Sequence, residues 1–237
     1  MLSVTPVHAE KLRLVADAWP PFTDASMEQG GLATALVRAA LERAGYASEF
    51  EQVPWARALR GIGDGRYDVL VNAWYNDSRT LIGQFSAGYL ANRIRLLKRK
   101  SEVIPFQRLS DLYPYPIAVV RDYAYSAEFD NDLRLQKVPV RSFSVAIGML
   151  AAGRVTLAVE DEYVASWSLQ QQPSNTKDLV EFFGKPISEN NLHILVSLKH
   201  PRHEQIVADF DKAIGAMKAD GTYARILRHY AFKPESP

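Results

Sequence analysis

The 237-residue chain contains no cysteine. Disulfide bonds, thiolate metal sites and cysteine nucleophiles are therefore excluded. Export from the cytoplasm stays open, because a chain of this length buries roughly 70–75% of its unfolded surface and can be stable without disulfides.

Strong charge and long apolar runs are also absent. Lys and Arg number 28 and Asp and Glu number 27, so the net charge is +1. This balance gives no electrostatic reason to expect binding to nucleic acid or to an anionic membrane. Because no run of 18 apolar residues occurs, the sequence predicts no membrane-spanning helix.

Motifs for catalysis and metal binding are missing as well. The five histidines are scattered, and His200 and His203 straddle Pro201 without a third ligand nearby. No nucleophile elbow, phosphate loop or zinc motif is present. We therefore expect no metal site and no cofactor.

The first nine residues bear on location. Val7 and Ala9, just before Glu10, are small residues at the two positions that a signal peptidase reads. The basic start of a signal peptide is missing, so residues 1–9 are interpreted as a trimmed signal-peptide remnant or as a disordered end. The first interpretation predicts a periplasmic protein.

The predictions of fold and site start from one stretch, residues 68–79. Its apolar part, Val69–Ala73, is typical of a strand that is buried on both faces. Its end is polar and closes with Arg79. Ligands of open α/β sheets bind beyond the carboxyl ends of the strands, so we expect Arg79 to hold an anion there.

The order of strands and helices predicts an α/β fold. The first third alternates strand, helix, strand, helix, strand, with strands at 11–16, 48–53 and from Asp68. A second such block follows, in which Ser144 is expected to cap a helix. Extended segments near 90–98 and 192–198 flank this block, and two helices follow the second segment.

This order favours one domain inserted in another. We expect lobe 1 at 10–94 and 196–237 and lobe 2 at 95–195, each a mostly parallel sheet with flanking helices. Two adjacent connecting strands make a hinge, and the cleft between the lobes would collect the carboxyl ends of both sheets.

Motifs spread from Leu12 to Phe232 carry a resemblance to a known family. They are Trp19–Phe22, Pro54–Leu59, Gly65–Arg79, Phe85–Tyr89, Ile117–Tyr125, Leu150–Arg154, Val159–Asp161 and Lys218–Tyr223. In order and spacing the chain resembles the amino-acid-type, family 3 extracytoplasmic solute-binding proteins, the periplasmic components of ABC importers. The resemblance implies a two-lobe type II periplasmic binding protein fold and no cofactor.

The resemblance also implies roles for individual residues. Arg79 would hold the α-carboxylate of the ligand, Asp161 its α-ammonium, and Trp19 would stack on it. Backbone N–H groups at 122–124 would add to the carboxylate site. The chain departs from the family pattern where Asn76-Asp77-Ser78 replaces the usual threonine and Asp122 replaces a glycine. Ligand identity therefore does not transfer.

Each candidate also has a structural interpretation. Arg79 could form a surface ion pair near Asp77, and Asp161 could only stabilise a helix N-terminus, leaving the ligand to Glu160 or Glu162. Trp19, Tyr75 and Trp55 could pack in the core instead of lining a pocket, Arg57 could be a charge on a helix face, and Tyr123 is open between the two. Asp17 and Ala73 complete the ligand-binding candidates.

The leading hypothesis is a monomeric, non-enzymatic protein that captures a small amino acid or carboxylate metabolite for the membrane permease of an ABC importer. A second hypothesis is an enzyme like cyclohexadienyl dehydratase on the same fold. Its catalytic acid would be Glu160, Asp161 or Asp122, provided that a dry site raised the pKa of that carboxyl group. A third is a module that reports to a sensor protein.

Overall fold

The computed structural model describes residues 10–121, 123 and 125–230. Residues 1–9, interpreted above as a signal-peptide remnant or a disordered end, lie outside the described residues. The chain divides into two compact units: the first ends at Leu90 and resumes at Asn191, and the second runs from Ala91 to Asn190. The sequence analysis predicted the boundaries between the two lobes after residue 94 and before residue 196.

The strands of the described chain are, in order, β1 (Lys11–Ala16), β2 (Ala47–Gln52), β3 (Val69–Trp74), β4 (Gly83–Phe85), β5 (Leu90–Arg99), β6 (Pro116–Val120), β7 (Gln136–Val140), β8 (Leu157–Asp161) and β9 (Val180–Ser197). The helices are α1 (Leu32–Arg43), α2 (Trp55–Gly63), α3 (Ala127–Asn131), α4 (Phe143–Ala151), α5 (Glu162–Gln170), α6 (Ser174–Lys177), α7 (His203–Ala219) and α8 (Thr222–His229). None of these described helices is both long and apolar enough to cross a membrane.

The sheet of the first unit is parallel in its first three strands. The strand order is β2-β1-β3-β9, and β4 also pairs with β9. β1 pairs in parallel with β2 and with β3, whereas β3 and β9 are antiparallel. The carboxyl ends of β1 and β3 therefore lie side by side at one edge of the sheet.

Burial explains why β3 forms. All five residues from Val69 to Ala73 are buried, as expected for a central strand with both faces covered. On one face, Leu70 and Ala73 pack with Val15 of β1, Ile62 of α2 and Leu195 of β9.

The second unit repeats the pattern around a sheet of order β9-β5-β8-β6-β7. β6 is parallel to β7 and to β8, and β5 is antiparallel to β8. Along β6, Ile117 and Val119 join a core cluster with Phe129, whereas Ala118 and Val120 belong to a second core cluster. Period-two alternation thus distributes the apolar side chains to both faces of the sheet.

Two sequence-based predictions of local structure were wrong. β9 begins at Val180, far before the expected Leu192. Gly184 and Pro186 look like a turn in the sequence, but the strand continues past both, with Gly184 at a φ of +66°. Helix α4 has Ser142 at its N-cap position rather than Ser144, and it starts at Phe143, whose side chain is buried in the core.

Candidate ligand-binding site

Arg79 lies in a 3₁₀ helix, Asp77–Leu81, that follows the carboxyl end of β3. The Asn76 side chain accepts a hydrogen bond of 2.9 Å from the Ser78 backbone N–H and so caps this turn. The capped turn fixes the backbone position of Arg79 at the edge of the sheet where the parallel strands end.

The guanidinium of Arg79 is held by contacts that leave its charge uncompensated. Nη1 donates to the Trp74 carbonyl at 2.7 Å, and the guanidinium carbon lies 5.0 Å from the centre of the Trp55 ring. Burial lowers the pKa of Arg79, yet arginine stays charged in proteins. Within the described chain no carboxylate forms an ion pair with it.

The alternative ion pair with Asp77 does not form. Asp77 instead accepts a hydrogen bond from Tyr75, which raises the pKa of that phenol. Arg79 is thus a half-buried cation with an aromatic support and spare N–H donors, an arrangement that can bind a carboxylate.

Trp55 and Arg57 both lie at the start of α2. Trp55 is partly buried against the core of the first unit, and its ring carries the Arg79 guanidinium. Its packing matches the core alternative, and its contact with Arg79 places it beside the candidate site. Arg57 is exposed on the helix surface.

The loop after β1 carries Trp19 and Asp17. Trp19 is half-buried, with its ring centre 4.5 Å from that of Phe22 and 5.9 Å from that of Trp74 in an edge-on contact. The half-buried Asp17 accepts a hydrogen bond of 2.9 Å from the Asn72 side chain. The ends of β1 and β3 therefore bring an acid and two indoles together.

Tyr75 and Ala73 differ sharply in exposure. The Tyr75 side chain is 59% exposed and its ring centre lies 5.0 Å from that of Phe85, beside a cavity of about 310 Å³. Ala73 is fully buried in the core. Only the backbone of Ala73 can therefore face a ligand.

In the second unit Asp161 is the N-cap residue of α5. Its Oδ1 accepts hydrogen bonds from the Tyr163 and Val164 backbone N–H groups at 2.9 and 3.0 Å, and its Oδ2 accepts one from Asn92 at 3.1 Å. The side chain is 1% exposed, and burial raises its pKa to about 7. Asp161 performs the helix-stabilising role that the sequence kept as an alternative.

Glu160 and Tyr123 complete the candidates of the second unit. Glu160 is 2% exposed, and burial raises its pKa to about 8. Its Oε2 has no hydrogen-bond partner among the described residues. Tyr123 is 46% exposed, with its ring centre 6.3 Å from that of Tyr125; the neighbouring positions 122 and 124 lie outside the described residues.

Sequence reasoning missed Asn72 as part of the site. It is a polar residue inside an otherwise apolar strand, and it is 5% exposed. That interruption of the apolar run was the available signal. In the described part of the chain, no group of three or more His, Cys, Asp or Glu side chains is arranged to hold a metal ion.

The chain forms two α/β units and crosses twice between them, and an arginine lies at the carboxyl edge of one sheet. These features are typical of the class of two-lobe solute-binding proteins. The chain belongs to the bacterial extracellular solute-binding proteins, family 3, whose family model matches residues 12–233. Its fold is that of the type II periplasmic binding proteins. A search of curated proteins finds no matching relative.

Solved structures of similar fold include both receptors and sensors. The unliganded L-cystine solute receptor of Neisseria gonorrhoeae has a TM-score of 0.76 and 20% identity, and the match covers 94% of each chain. An ancestral arginine-binding protein bound to arginine has a TM-score of 0.66 and 24% identity, over 93% of this chain and 97% of that one. A histidine kinase sensor domain has a TM-score of 0.69 and 20% identity, over 95% and 99%.

Proposed function

We propose that this chain captures a small solute carrying a carboxylate, an amino acid or a related metabolite, in the periplasm and delivers it to the membrane permease of an ABC importer. Membership of the solute-binding family supports capture of a solute. The cystine receptor and the arginine-binding protein of similar fold support an amino acid as the solute class.

The observation that carries the proposal is the state of Arg79. A half-buried guanidinium that rests on an indole and has no carboxylate partner within the described chain is available for an external anion. Guanidinium matches a carboxylate with two parallel hydrogen bonds. Hydrogen bonds to charged groups are worth about 1.5–3 kcal/mol each, enough to dominate the affinity for a small ligand.

Substitution of Arg79 by alanine should weaken binding roughly 10- to 100-fold, which corresponds to the loss of one charged hydrogen bond. Titration calorimetry with the twenty standard amino acids and simple carboxylates identifies the tightest ligand of the wild-type protein. The affinity of the Arg79→Ala variant for that ligand then measures the effect.

Arg38→Ala is the matched control, because Arg38 is exposed on α1 of the same unit. Its affinity should equal that of the wild type. Unchanged affinity in Arg79→Ala would mean that Arg79 does not hold the ligand, and absence of any ligand in the panel would refute the proposed solute class.

A sensory role is the second candidate, favoured by the likeness to a histidine kinase sensor domain. Delivery to an importer predicts that a strain without this chain loses uptake of the tightest ligand. A sensory role predicts that uptake continues while the transcriptional response to the ligand disappears.

Enzymatic dehydration needs a protonated acid, and the raised pKa of Glu160 meets that one condition. Burial of the same carboxyl argues against contact with a substrate. Incubation with prephenate or arogenate separates the hypotheses: we expect no phenylpyruvate or phenylalanine, and formation of either would replace the binding role by catalysis.

A further inference from the structure

The contact of Arg79 with Trp55 differs from the other arginine–aromatic contacts of the described chain. In those three contacts the arginine also forms an ion pair with a carboxylate: Arg95 on Phe182 with Glu162, Arg134 on Tyr113 with Asp132, and Arg202 on Tyr46 with Glu10. Arg79 lies 5.0 Å from the centre of the Trp55 ring and pairs with no carboxylate of the described residues. At Arg79 an aromatic ring therefore takes the place of a counterion.

The two kinds of partner use different parts of a guanidinium group. A carboxylate accepts hydrogen bonds from the N–H groups, which point outward in the plane of the guanidinium. An aromatic ring attracts the charge through its face and occupies none of these donors. Of the five N–H donors of a guanidinium, the described residues use one in Arg79, the Nη1 donor to the Trp74 carbonyl. Trp55 thus stabilises the cation and leaves donors for a ligand.

Trp55 itself has a fixed position. It is the first residue of α2, where the Pro54 carbonyl accepts hydrogen bonds from the Arg57 and Ala58 N–H groups at 2.8 and 3.1 Å. Its side chain packs against the buried core cluster of the first unit, which contains Ala58 and Ile62. The helix start and the core together make the indole a rigid support for the guanidinium.

Without the indole, Arg79 would have states that compete with ligand binding. Asp77 is exposed and lies two residues away in the same 3₁₀ helix, where it accepts a hydrogen bond from Tyr75. A mobile guanidinium would be free to pair with this carboxylate. Ordering a long side chain again at the moment of binding weakens affinity roughly 3- to 10-fold.

We infer that Trp55 is a positioning residue of the anion site: it holds Arg79 in the orientation that binds a carboxylate and keeps the N–H donors of Arg79 unoccupied. The inference rests on the proposed function and adds to it a residue that acts through the guanidinium. The indole contributes to the affinity for the charged group of the ligand and not to the affinity for the rest of it.

The test compares probes with and without the carboxylate, by titration calorimetry on the full chain. The twenty standard amino acids are paired with their α-amides, and hexanoate is paired with hexanamide. The titrations are done at about pH 6, where the ammonium group of an amino-acid amide stays protonated. For the pair that wild type binds most tightly, the carboxylate preference is the Kd of the amide divided by the Kd of the acid.

In wild type the carboxylate preference should be roughly 10- to 100-fold. Trp55→Leu should lower this preference roughly 3- to 10-fold by weakening the acid, while the Kd of the amide stays within about twofold of wild type. Trp55→Phe keeps an aromatic face and should retain more of the preference than Trp55→Leu. In an Arg79→Ala background, Trp55→Leu should have no further effect on the acid, because the indole acts through the guanidinium.

Leu59→Ala is the matched control. Leu59 lies one turn later in α2 and packs against the same core cluster, but it offers no ring to the guanidinium. Its loss should lower the urea midpoint of unfolding and leave the carboxylate preference at the wild-type value. Circular dichroism identifies a variant that does not fold. If Trp55→Leu is such a variant, Trp55→Met, with a flexible apolar side chain that fills core gaps, replaces it with the same expected result.

The results that contradict the two proposals are distinct. Equal weakening of acid and amide in Trp55→Leu would mean that the ring touches the ligand or only supports α2, and an unchanged preference would mean that Arg79 needs no support. Either result refutes the role of Trp55, and the proposed function stands as long as Arg79→Ala weakens the acid. If no probe binds wild type, or if Arg79→Ala leaves the Kd of the acid unchanged, the proposed function itself fails.

Discussion

Replacing Gly31 by alanine should lower the free energy of unfolding by about 2–6 kcal/mol. Gly31 precedes α1 with φ +93° and ψ 170°, a region open essentially to glycine alone, where other residues cost about 1–3 kcal/mol. A Cβ atom would also lie 2.7 Å from the Phe22 carbonyl oxygen and 2.9 Å from the Pro21 carbonyl oxygen. Backbone atoms cannot yield as side-chain ends do, so a further cost of about 1–3 kcal/mol is expected.

The same close approach positions the site. The first helical N–H groups of α1 donate to this loop rather than to a capping side chain: Leu32 to Pro21 at 2.9 Å and Ala33 to Phe22 at 2.8 Å. The loop carries Trp19. A shift that relieves the clash would disturb it, so we also expect weaker ligand binding in Gly31→Ala.

Urea unfolding followed by circular dichroism measures the effect on stability. Gly148→Ala is the control, because Gly148 is exposed in α4 and a Cβ there would meet no atom within 4 Å. Alanine should stabilise that helix by roughly 0.5–1 kcal/mol. A loss of less than about 1 kcal/mol in Gly31→Ala would show that the loop and helix adjust easily and that the glycine is not required.

The elements of the first unit could be predicted because local signals agree there. Alternating apolar residues and the prolines after Ala16 give β1, and the apolar run gives β3. The Gly31 and Pro54 positions mark the starts of α1 and α2. In β9 the local signals conflict with the structure, since Gly184 and Pro186 are typical of a turn and yet lie inside the strand Val180–Ser197.

The candidate site was harder to predict because its energetics depend on contacts between distant segments. Residue type and position made Arg79 a candidate, but its contact with Trp55 joins the turn after β3 to the start of α2, which only the fold brings together. The family pattern suggested Asp161 as a ligand group, whereas burial and three hydrogen bonds to it are visible only in the structure. The trapping of ligand between two lobes, and the monomeric state, stay predictions.

Glu160 should make the protein less stable as the pH rises from about 5 to about 9. Burial raises its pKa from 4.5 to about 8, so between these values the native state holds a proton that the unfolded chain has lost. Unfolding free energy then falls with pH, by at most about 1.4 kcal/mol per pH unit for one group. Asp161, with its pKa raised to about 7, acts in the same direction.

The Glu160→Gln variant should lose the larger part of this dependence. Glutamine stays neutral at every pH and keeps an oxygen that can accept from the Asp161 backbone N–H, as Oε1 does at 2.9 Å. At pH 9 we expect the variant to be more stable than wild type by about 2–4 kcal/mol, and at pH 5 within about 1 kcal/mol of it. Urea unfolding at intervals from pH 5 to 9 measures both curves.

Glu128→Gln, at an exposed position in α3 of the same unit, is the matched control and should follow the wild-type curve. The physical reason for the difference is that Glu160 forms no ion pair with any of the described residues. Arg95, opposite Glu160 on β5, directs its guanidinium to Glu162 at 3.3 Å and to the Gly184 carbonyl at 3.1 Å. A neutral carboxyl tolerates such a site far better than a carboxylate does. If Glu160→Gln kept the full wild-type slope, Glu160 would have to be ionised in the native protein, and a donor to its Oε2 would have to exist.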